Sequence, residues 1–539
     1  MAYDIAEIPL PSRNYTFSYY IVLVCLVAPL WSSVLASWAF VIHSLWSGRI
    51  WTFAWPHKFV FAVTLCEVFF SVYHYHLSQH VSGPTPHGPG ELIEIQAAYS
   101  RLLKAGLASL PEAGDDEESD RPGSPEEVIT QLDHDDPRAI DFRNSLRTWF
   151  SKAPWSSIKL REVQKWLYWS IFNADLPPLD KISHSQRTVL DEALGLLQKR
   201  SGSIIQEGSN PTIQPIRLTL DRVNTHWRPL TYYTAINSVN WFLRTLYKTK
   251  WKVLHGHYDG LEYLVRLPKH WDPTADPRPI VFIHGLGLGF LQYNHLITHL
   301  LKTFVDRPVL ILLQPQISQN IFHPQFLKPM TKYQMANRLA RLMEKLGWVF
   351  LYQSPKRESS GEHEEEKEIT SLIVERNKGV TMISHSNGSY IHAWMLKIYP
   401  SIVSRSCFVD PVTFCSWEGD VCYNFIYRPC RTGIELLMRY FVGTEIGVAN
   451  LLQRHFDWVS NSLWYDEIPN AQDPSKTLFL LGGKDDIICS ERVKRYLTSH
   501  GVRKGLWYDP KGKHGQALVS GSDGHAKILG WLKELDIAK

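Results

Sequence analysis

At 539 residues the chain is too long for one ordinary domain, and 44% hydrophobic with 20% charged residues suits a globular protein with a true core. A formal net charge of only +4, with no basic cluster on any one element, argues against a nucleic-acid partner. The seven cysteines contain no C-x-x-C pair, which speaks against a zinc cluster and for buried free thiols of a reducing compartment.

In chain order, residues 1–80 read as a membrane region. The uncharged run from Tyr19 to Ile42 is long enough for a span, which takes about 20 residues, and it is too long for the apolar core of a signal peptide. A second run, Phe59–Tyr73, is shorter and carries Glu67. A carboxylate at that depth costs about 2.5–3.5 kcal/mol, so this run is either a second span or an interfacial helix. Arg49 and Lys58 place the segment between the runs on the cytoplasmic side. One span then puts the rest of the chain in the cytoplasm, and two put it in a lumen. The cytoplasmic orientation is the one expected, since Asn387-Gly388-Ser389 would be a glycosylation sequon inside the presumptive site. His74, His76 and His80 have a spacing that suits a strand, and they read as a juxtamembrane polar face rather than a metal site.

Residues 81–140 read as an acidic, disordered linker, with one helix inside ELIEIQAAYSRLLKAGLASL. Residues 141–250 read as a helical accessory region. Leu160, Val163, Leu167 and Ile171 share one helix face, and helical text returns at VLDEALGLLQKR and AINSVNWFLRTLYK.

From residue 251 to 539 the text alternates between short β runs and helices. Asp259-Gly260 closes a hairpin, and PIVFI, VLILL, GVTMI, RSCFV, TLFLL and GLWYD follow. Such continuous apolar runs predict a mostly parallel sheet with helices on both faces. Four loops at the C-terminal strand ends carry the polar chemistry. Ser384-His385-Ser386-Asn387-Gly388 lies between a strand and a helix, where a sharp turn lifts Ser386 and the helix N-terminus supplies N–H groups. His284-Gly285-Leu286-Gly287 follows PIVFI. Asp485 and Asp486 follow TLFLL, and His514 follows GLWYD. A serine hydroxyl needs a histidine to take its proton, and a carboxylate fixes that histidine's tautomer.

Residues 250–535 resemble the α/β-hydrolase superfamily, in its lipase, esterase and epoxide-hydrolase-like branch. The elbow resembles G-H-S-x-G, with Ser384 in place of the first glycine. The resemblance implies an α/β-hydrolase fold with a helical cap insertion at about 411–470. It implies Ser386 as nucleophile, His514 as base, and oxyanion N–H groups from Leu286 and Asn387. The acid is implied at Asp485, which Ile487 and Ile488 follow; Asp486 and Asp410 remain alternatives. Serine rather than aspartate at the elbow implies ester, thioester or amide cleavage through an acyl-enzyme. Val519 occupies the last position of an acyltransferase-type H-x-x-x-x-D. No cofactor and no metal are expected.

The cap carries Trp417, Tyr423, Phe425, Tyr427, Tyr440, Phe441, Phe456, Trp458 and Trp464, which suits an apolar, lipid-like ester. The expected function is a membrane-anchored serine esterase. A thioesterase, an amidase or peptidase, a carbon–carbon-bond hydrolase, or a non-catalytic binding protein on the same fold are the alternatives. The charged loop 356–368 reads as a solvated insertion.

Overall fold

A computed structural model describes residues 4–88, 90–105, 129–351 and 379–534. The charged loop 356–368 and the acidic run 106–128 lie outside the described residues. Two long apolar helices come first, α1 (Phe17–Trp46) and α2 (Trp55–Val81). They are followed by α3 (Leu92–Lys104), α4 (Pro137–Leu146), α5 (Leu160–Phe172), α6 (His184–Ser201) and α7 (Leu230–Trp251).

The sheet begins with the hairpin β1 (Leu254–Tyr258) and β2 (Leu261–Arg266), whose turn residues Asp259 and Gly260 both take positive φ. It continues through β3 (Ile280–Ile283), α8 (Phe290–Thr303), β4 (Val309–Leu313), α9 (Lys332–Lys345), β5 (Val380–His385), α10 (Gly388–Ile398) and β6 (Val403–Val409). After the insertion, which contains α11 (Ile446–Arg454), come β7 (Thr477–Gly482), α12 (Ser490–Ser499), β8 (Leu506–Asp509) and α13 (Asp523–Lys533). The strands form one eight-stranded sheet in the order β1-β2-β4-β3-β5-β6-β7-β8, antiparallel at β1–β2 and β2–β4 and parallel elsewhere.

Alternation along each strand divides the core. Val281, Ile283, Leu310, Leu312, Met382, Phe408 and Phe479 face α9, α10 and α12. Ile280, Phe282, Val309, Ile311, Ile383, Cys407 and Leu478 face α7, α8 and α13. Both faces are dry, which is why these strands read as continuous apolar runs. The helical region before the sheet joins the first of these faces, with Trp149, Phe150, Trp166 and Leu167 buried in it. Helix α3 belongs to the same core through Ile95, Tyr99 and Leu102, so this part of the 81–140 stretch is packed, where a linker was expected.

Helices α1 and α2 form an antiparallel pair, tied by a hydrogen bond from Trp38 Nε1 to Ser71 Oγ (2.9 Å). Glu67 lies against the protein: both its carboxylate oxygens accept from Leu230 N–H, at 3.0 and 2.8 Å, at the N-terminus of α7. The histidine triplet lies on α2, where a strand was expected; His74 is buried and stacks on Trp227 (ring centres 5.9 Å), whereas His76 and His80 face outward. A 3.6-residue period splits the three between faces, whereas the period of 2 would have grouped them.

An ion cluster joins α12 to the helical layer and the cap. Arg492 lies 2.9 Å from Asp141 on α4 and 2.9 Å from Glu418. Burial drives Glu418 up to about 7 even though Arg492 opposes the shift. Removing one partner of a buried pair strands the other's charge. Arg492→Ala is therefore expected to cost about 3–5 kcal/mol of unfolding free energy, measured by urea denaturation. Adding Glu418→Gln should recover part of that loss.

Candidate active site

The elbow sits where β5 meets α10. Ser386 holds a left-handed backbone, φ 52°, which few non-glycine residues adopt. Three hydrogen bonds fix it: Ser386 N–H donates to Val409 C=O (3.1 Å), Ser389 Oγ donates to Ser386 C=O (2.7 Å), and Val412 N–H donates to Ser389 Oγ (3.1 Å). The helix start presses against β3. A Cβ on Gly388 would lie 2.4 Å from Ile283 O, and one on Gly285 would lie 2.9 Å from Ser386 Cβ. Both glycines are needed for this approach.

Ser384, at the position of the missing first glycine, is fully buried and fits through a hydrogen-bonded chain. Its Oγ meets His392 Nδ1 at 2.9 Å, and His392 Nε2 meets Ser406 Oγ at 3.1 Å. Burial lowers the His392 pKa to about 3, so the ring is neutral and can accept at one nitrogen and donate at the other.

The strand order and this elbow settle the architecture. The chain has the α/β-hydrolase fold.

No family model matches the chain, and no curated protein matches it. Among solved structures it is similar to a membrane phospholipase A described as a novel bacterial virulence factor: 13% identity, 56% of this chain and 93% of that one, TM-score 0.33. It is also similar to a putative lipase from Acinetobacter baumannii: 12% identity, 54% of this chain and 94% of that one, TM-score 0.35. A third is an esterase of Pyrococcus furiosus: 13% identity, 53% of this chain and 95% of that one, TM-score 0.31.

Of the three acid candidates, Asp485 meets the histidine. Its Oδ2 lies 2.6 Å from His514 Nδ1, and its Oδ1 accepts the N–H groups of Ile487 (2.7 Å) and Ile488 (3.1 Å). Asp486 is exposed; its main-chain carbonyl accepts from Arg428 at 3.3 Å. Asp410 is buried beside the pair, but its oxygens are taken by backbone: Oδ1 accepts from Gly482 N–H (2.9 Å) and Oδ2 from Gly515 N–H (2.7 Å). It ties the acid loop to the histidine loop. Burial raises Asp410 to about 6, against the pull of His514. At His514, burial disfavours the cation, but Asp485 and then Asp410 outweigh it and lift the ring to about 9.

Ser386, His514, Leu286 and Asn387 line one cavity of about 410 Å³, within the usual range of ligand pockets, about 300–1,000 Å³. Among the described residues, His514 Nε2 is buried without a hydrogen-bond partner, and neither Leu286 N–H nor Asn387 N–H is taken by a protein acceptor. The opposite wall is apolar: Val412, Phe425, Ile426, Ile434, Met438, Val442 and Phe456, all from the insertion or its approach. A second cavity of about 370 Å³ adjoins it across Asn387, Tyr390, Leu452 and Phe456 and extends beneath α3 and α5.

Two supports had no signal in the local sequence. Tyr293 on α8 accepts Gly285 N–H at its hydroxyl (2.9 Å) and donates to His385 Nδ1 (2.8 Å), clamping the glycine turn to the elbow. Burial, with His514 and His284 adding to it, keeps His385 well below its usual pKa and therefore neutral. Gln292 likewise spans the glycine turn, donating to Leu286 C=O (2.9 Å) and accepting Leu288 N–H (2.8 Å).

Because Asp485 and Asp410 both favour the imidazolium, His514 should titrate with a midpoint near 9. Asp485→Asn should move that midpoint down. Low-field imidazole proton resonances, assigned by comparison with His514→Ala, would show it; a His514 that titrates near 6.5 in the unaltered protein would contradict the charge arrangement.

Proposed function

We propose that this chain is a membrane-anchored serine hydrolase that cleaves a lipid-like carboxylic ester through an acyl-enzyme, with Ser386, His514 and Asp485 as the reacting triad. The reading is carried chiefly by His514, whose Nδ1 is held by a buried carboxylate while its Nε2 remains without a partner beside the cavity that Ser386 enters. In the proposed reaction Ser386 Oγ attacks the ester carbonyl carbon and His514 Nε2 takes the hydroxyl proton. The carbonyl oxygen becomes an oxyanion received by Leu286 N–H and Asn387 N–H. The C–O bond to the leaving group breaks, the leaving oxygen takes the proton from His514, and the acyl group stays on Ser386. Water then repeats the sequence and releases the acid.

A lipid-like substrate is supported by the apolar cavity wall and by where that wall leads. Ile434, Met438 and Val442 line the cavity, while Leu436, Leu437 and Tyr440 of the same stretch pack on Val22 and Val27 of α1. One short segment therefore touches both the catalytic cavity and the first apolar helix.

The anchor is read as a two-helix hairpin that crosses the membrane. Both of its ends dock on the protein: Thr16 N–H donates to Arg431 C=O (2.9 Å), Gly433 N–H donates to Ser18 Oγ (3.1 Å), and Ser78 Oγ meets Thr225 Oγ1 at 2.6 Å. The turn between the helices presents Trp46, Trp51 and Trp55, 91%, 84% and 77% exposed, residues suited to a membrane interface. Two crossings leave the catalytic region on the face opposite Arg49 and Lys58. This proposal takes the two-span alternative, where the sequence alone favoured the cytoplasmic orientation that goes with one span. In that orientation the sequon must stay unmodified, since Asn387 is only 6% exposed in the elbow.

A fluorophosphonate should label the wild type and fail on Ser386→Ala; equal labelling of both would remove Ser386 from the mechanism. With ester substrates of increasing chain length, His514→Ala should depress kcat/KM by about 10³-fold or more. The wild-type rate should rise with pH through a midpoint near 9, because His514 must lose its proton before it can act as base. Preference for short, polar acyl groups would overturn the lipid assignment and leave the hydrolase standing. For topology, cysteines introduced in the turn at Ser47 and at the C-terminus should react with impermeant maleimides from opposite faces of sealed vesicles. Reaction from one face would exclude a crossing hairpin.

A further inference from the structure

A second cluster of chemistry-bearing side chains lies at the other end of the sheet and lines neither cavity. His255 and His257 alternate along β1 and so project to one face. Glu262 on β2 is the direct cross-strand partner of His257 and shares that face. One ligand atom each from His255, His257 and Glu262 fall within 4.8 Å of one another. His255 Nε2 is 2.6 Å from Glu262 Oε1, and the rings of His255 and His257 are centred 4.8 Å apart. A third imidazole arrives from the segment after β4, with His323 Nε2 3.4 Å from Glu262 Oε2. The only other charged group at this carboxylate among the described residues is Arg244 of α7, whose Nη1 lies 3.3 Å from Glu262 Oε1.

Glu262 is 7% exposed, so its charge needs a partner. Arg244 alone supplies one, and three imidazoles are then in excess of what neutralising a carboxylate requires. His257 in particular makes no side-chain hydrogen bond among the described residues, although it sits opposite Glu262. Two imidazoles and one carboxylate, with a fourth position for water, form a donor set that suits a tetrahedral zinc ion. His323, whose Nδ1 accepts the Gln325 N–H at 3.0 Å, carries its proton on Nε2 and directs it at Glu262 Oε2. Zn–N and Zn–O bonds of about 2.0–2.2 Å put tetrahedral donors about 3.4 Å apart, inside the 2.6–4.8 Å range of separations among His255, His257 and Glu262.

We propose that His255, His257 and Glu262 bind one zinc ion, with His323 holding the other oxygen of Glu262 as an outer neighbour, in a site separate from the cavity at Ser386. The ion replaces the proton shared by His255 Nε2 and Glu262 Oε1, leaving Arg244 as an outer neighbour of the carboxylate. Its effect, through Glu262 and His323, is to fasten the β1–β2 hairpin to the segment that follows β4. That segment also carries Ile317, whose carbonyl accepts Gly287 N–H (3.1 Å) in the glycine turn beside Ser386. The inference is independent of the proposed esterase activity, and its test reads metal rather than turnover.

Full-length protein in detergent would be stripped with a chelator, equilibrated with zinc chloride, desalted and assayed for metal content and thermal midpoint. Wild type should retain one zinc per chain and melt higher with zinc than without. His255→Ala/His257→Ala should weaken retention by about 100-fold or more and lose the zinc-dependent rise, and His323→Ala alone should also weaken it. His255 and His257 are exposed, so the double variant should fold, and its chelated melting curve checks this. Cobalt(II) should give the intense visible absorption of a tetrahedral site in wild type but not in the double variant. His514→Ala should retain zinc as wild type does. Loss of zinc from His514→Ala but not from the β1 variant would assign the ion to the cluster of Asp410, Asp485 and His514 and overturn the proposal. Failure of the wild type to retain zinc would overturn it as well.

Discussion

The site rests on one tight contact, the approach of the β5–α10 turn to the end of β3. Because Gly388 has no side chain, the first turn of α10 can lie against the Ile283 carbonyl, and this leaves Ser386 at the apex with positive φ. Such a backbone costs about 1–3 kcal/mol for a residue with a Cβ. It persists because bonds from Val409, Ser389 and Val412 over-determine it. Leu286 and Asn387, on either side of this contact, line the same cavity as Ser386. The glycine turn and the elbow are thus parts of one object, with Tyr293 bonded to both. A serine in place of the first elbow glycine is tolerated because the constraint falls on the second. Ser384 points into α10, where His392 receives it.

Two buried carboxylates lie near His514, and their amide partners separate their roles. Asp485 gives one oxygen to the Ile487 and Ile488 N–H groups and keeps the other for the ring. Asp410 has each oxygen engaged by an amide from a different loop. The first can orient an imidazole; the second holds together the loops that carry Asp485 and His514. Both act on His514 through charge, and both raise its proton affinity. Under the proposed reaction, a strongly basic histidine suits the return of a proton to a leaving oxygen, and it carries a cost at neutral pH, where most of the ring is already protonated.

The sheet was legible because its strands are buried on both faces and short, so that PIVFI or TLFLL can hardly be anything else. Ser386, Asp485 and His514 were legible as residues following such strands. The preference for Asp485 rested on the two isoleucines after it, and their amides are what hold its carboxylate. What escaped the sequence depends on contacts between distant residues. Tyr293 reaches His385 across 92 positions, and Gly285 only through the fold. Glu67 read as a burden on a membrane helix because nothing local showed that the first amide of α7 would receive it 163 positions later. The histidines of β1 passed unnoticed because H-G-H is ordinary hairpin text until His323 is placed beside it.

The cap explains how the apolar helices and the catalytic region can work as one unit under the proposed reading. Gly433 lies so close to α1 that a Cβ there would be 2.7 Å from the Ser18 carbonyl oxygen. The next residue, Ile434, is 50% exposed and also lines the cavity that holds Ser386. Within two residues the chain passes from contact with α1 to contact with the pocket. On that reading, an acyl chain arriving along α1 would meet the apolar 434–442 stretch, which lines the cavity on one side and packs on α1 on the other. Each buried methylene left in an apolar setting avoids about 0.8 kcal/mol of rehydration, which for a long chain outweighs any single hydrogen bond at the site. If the helices anchor the chain as proposed, placement of the pocket beside α1 favours long-chain esters more strongly than the shape of the cavity alone.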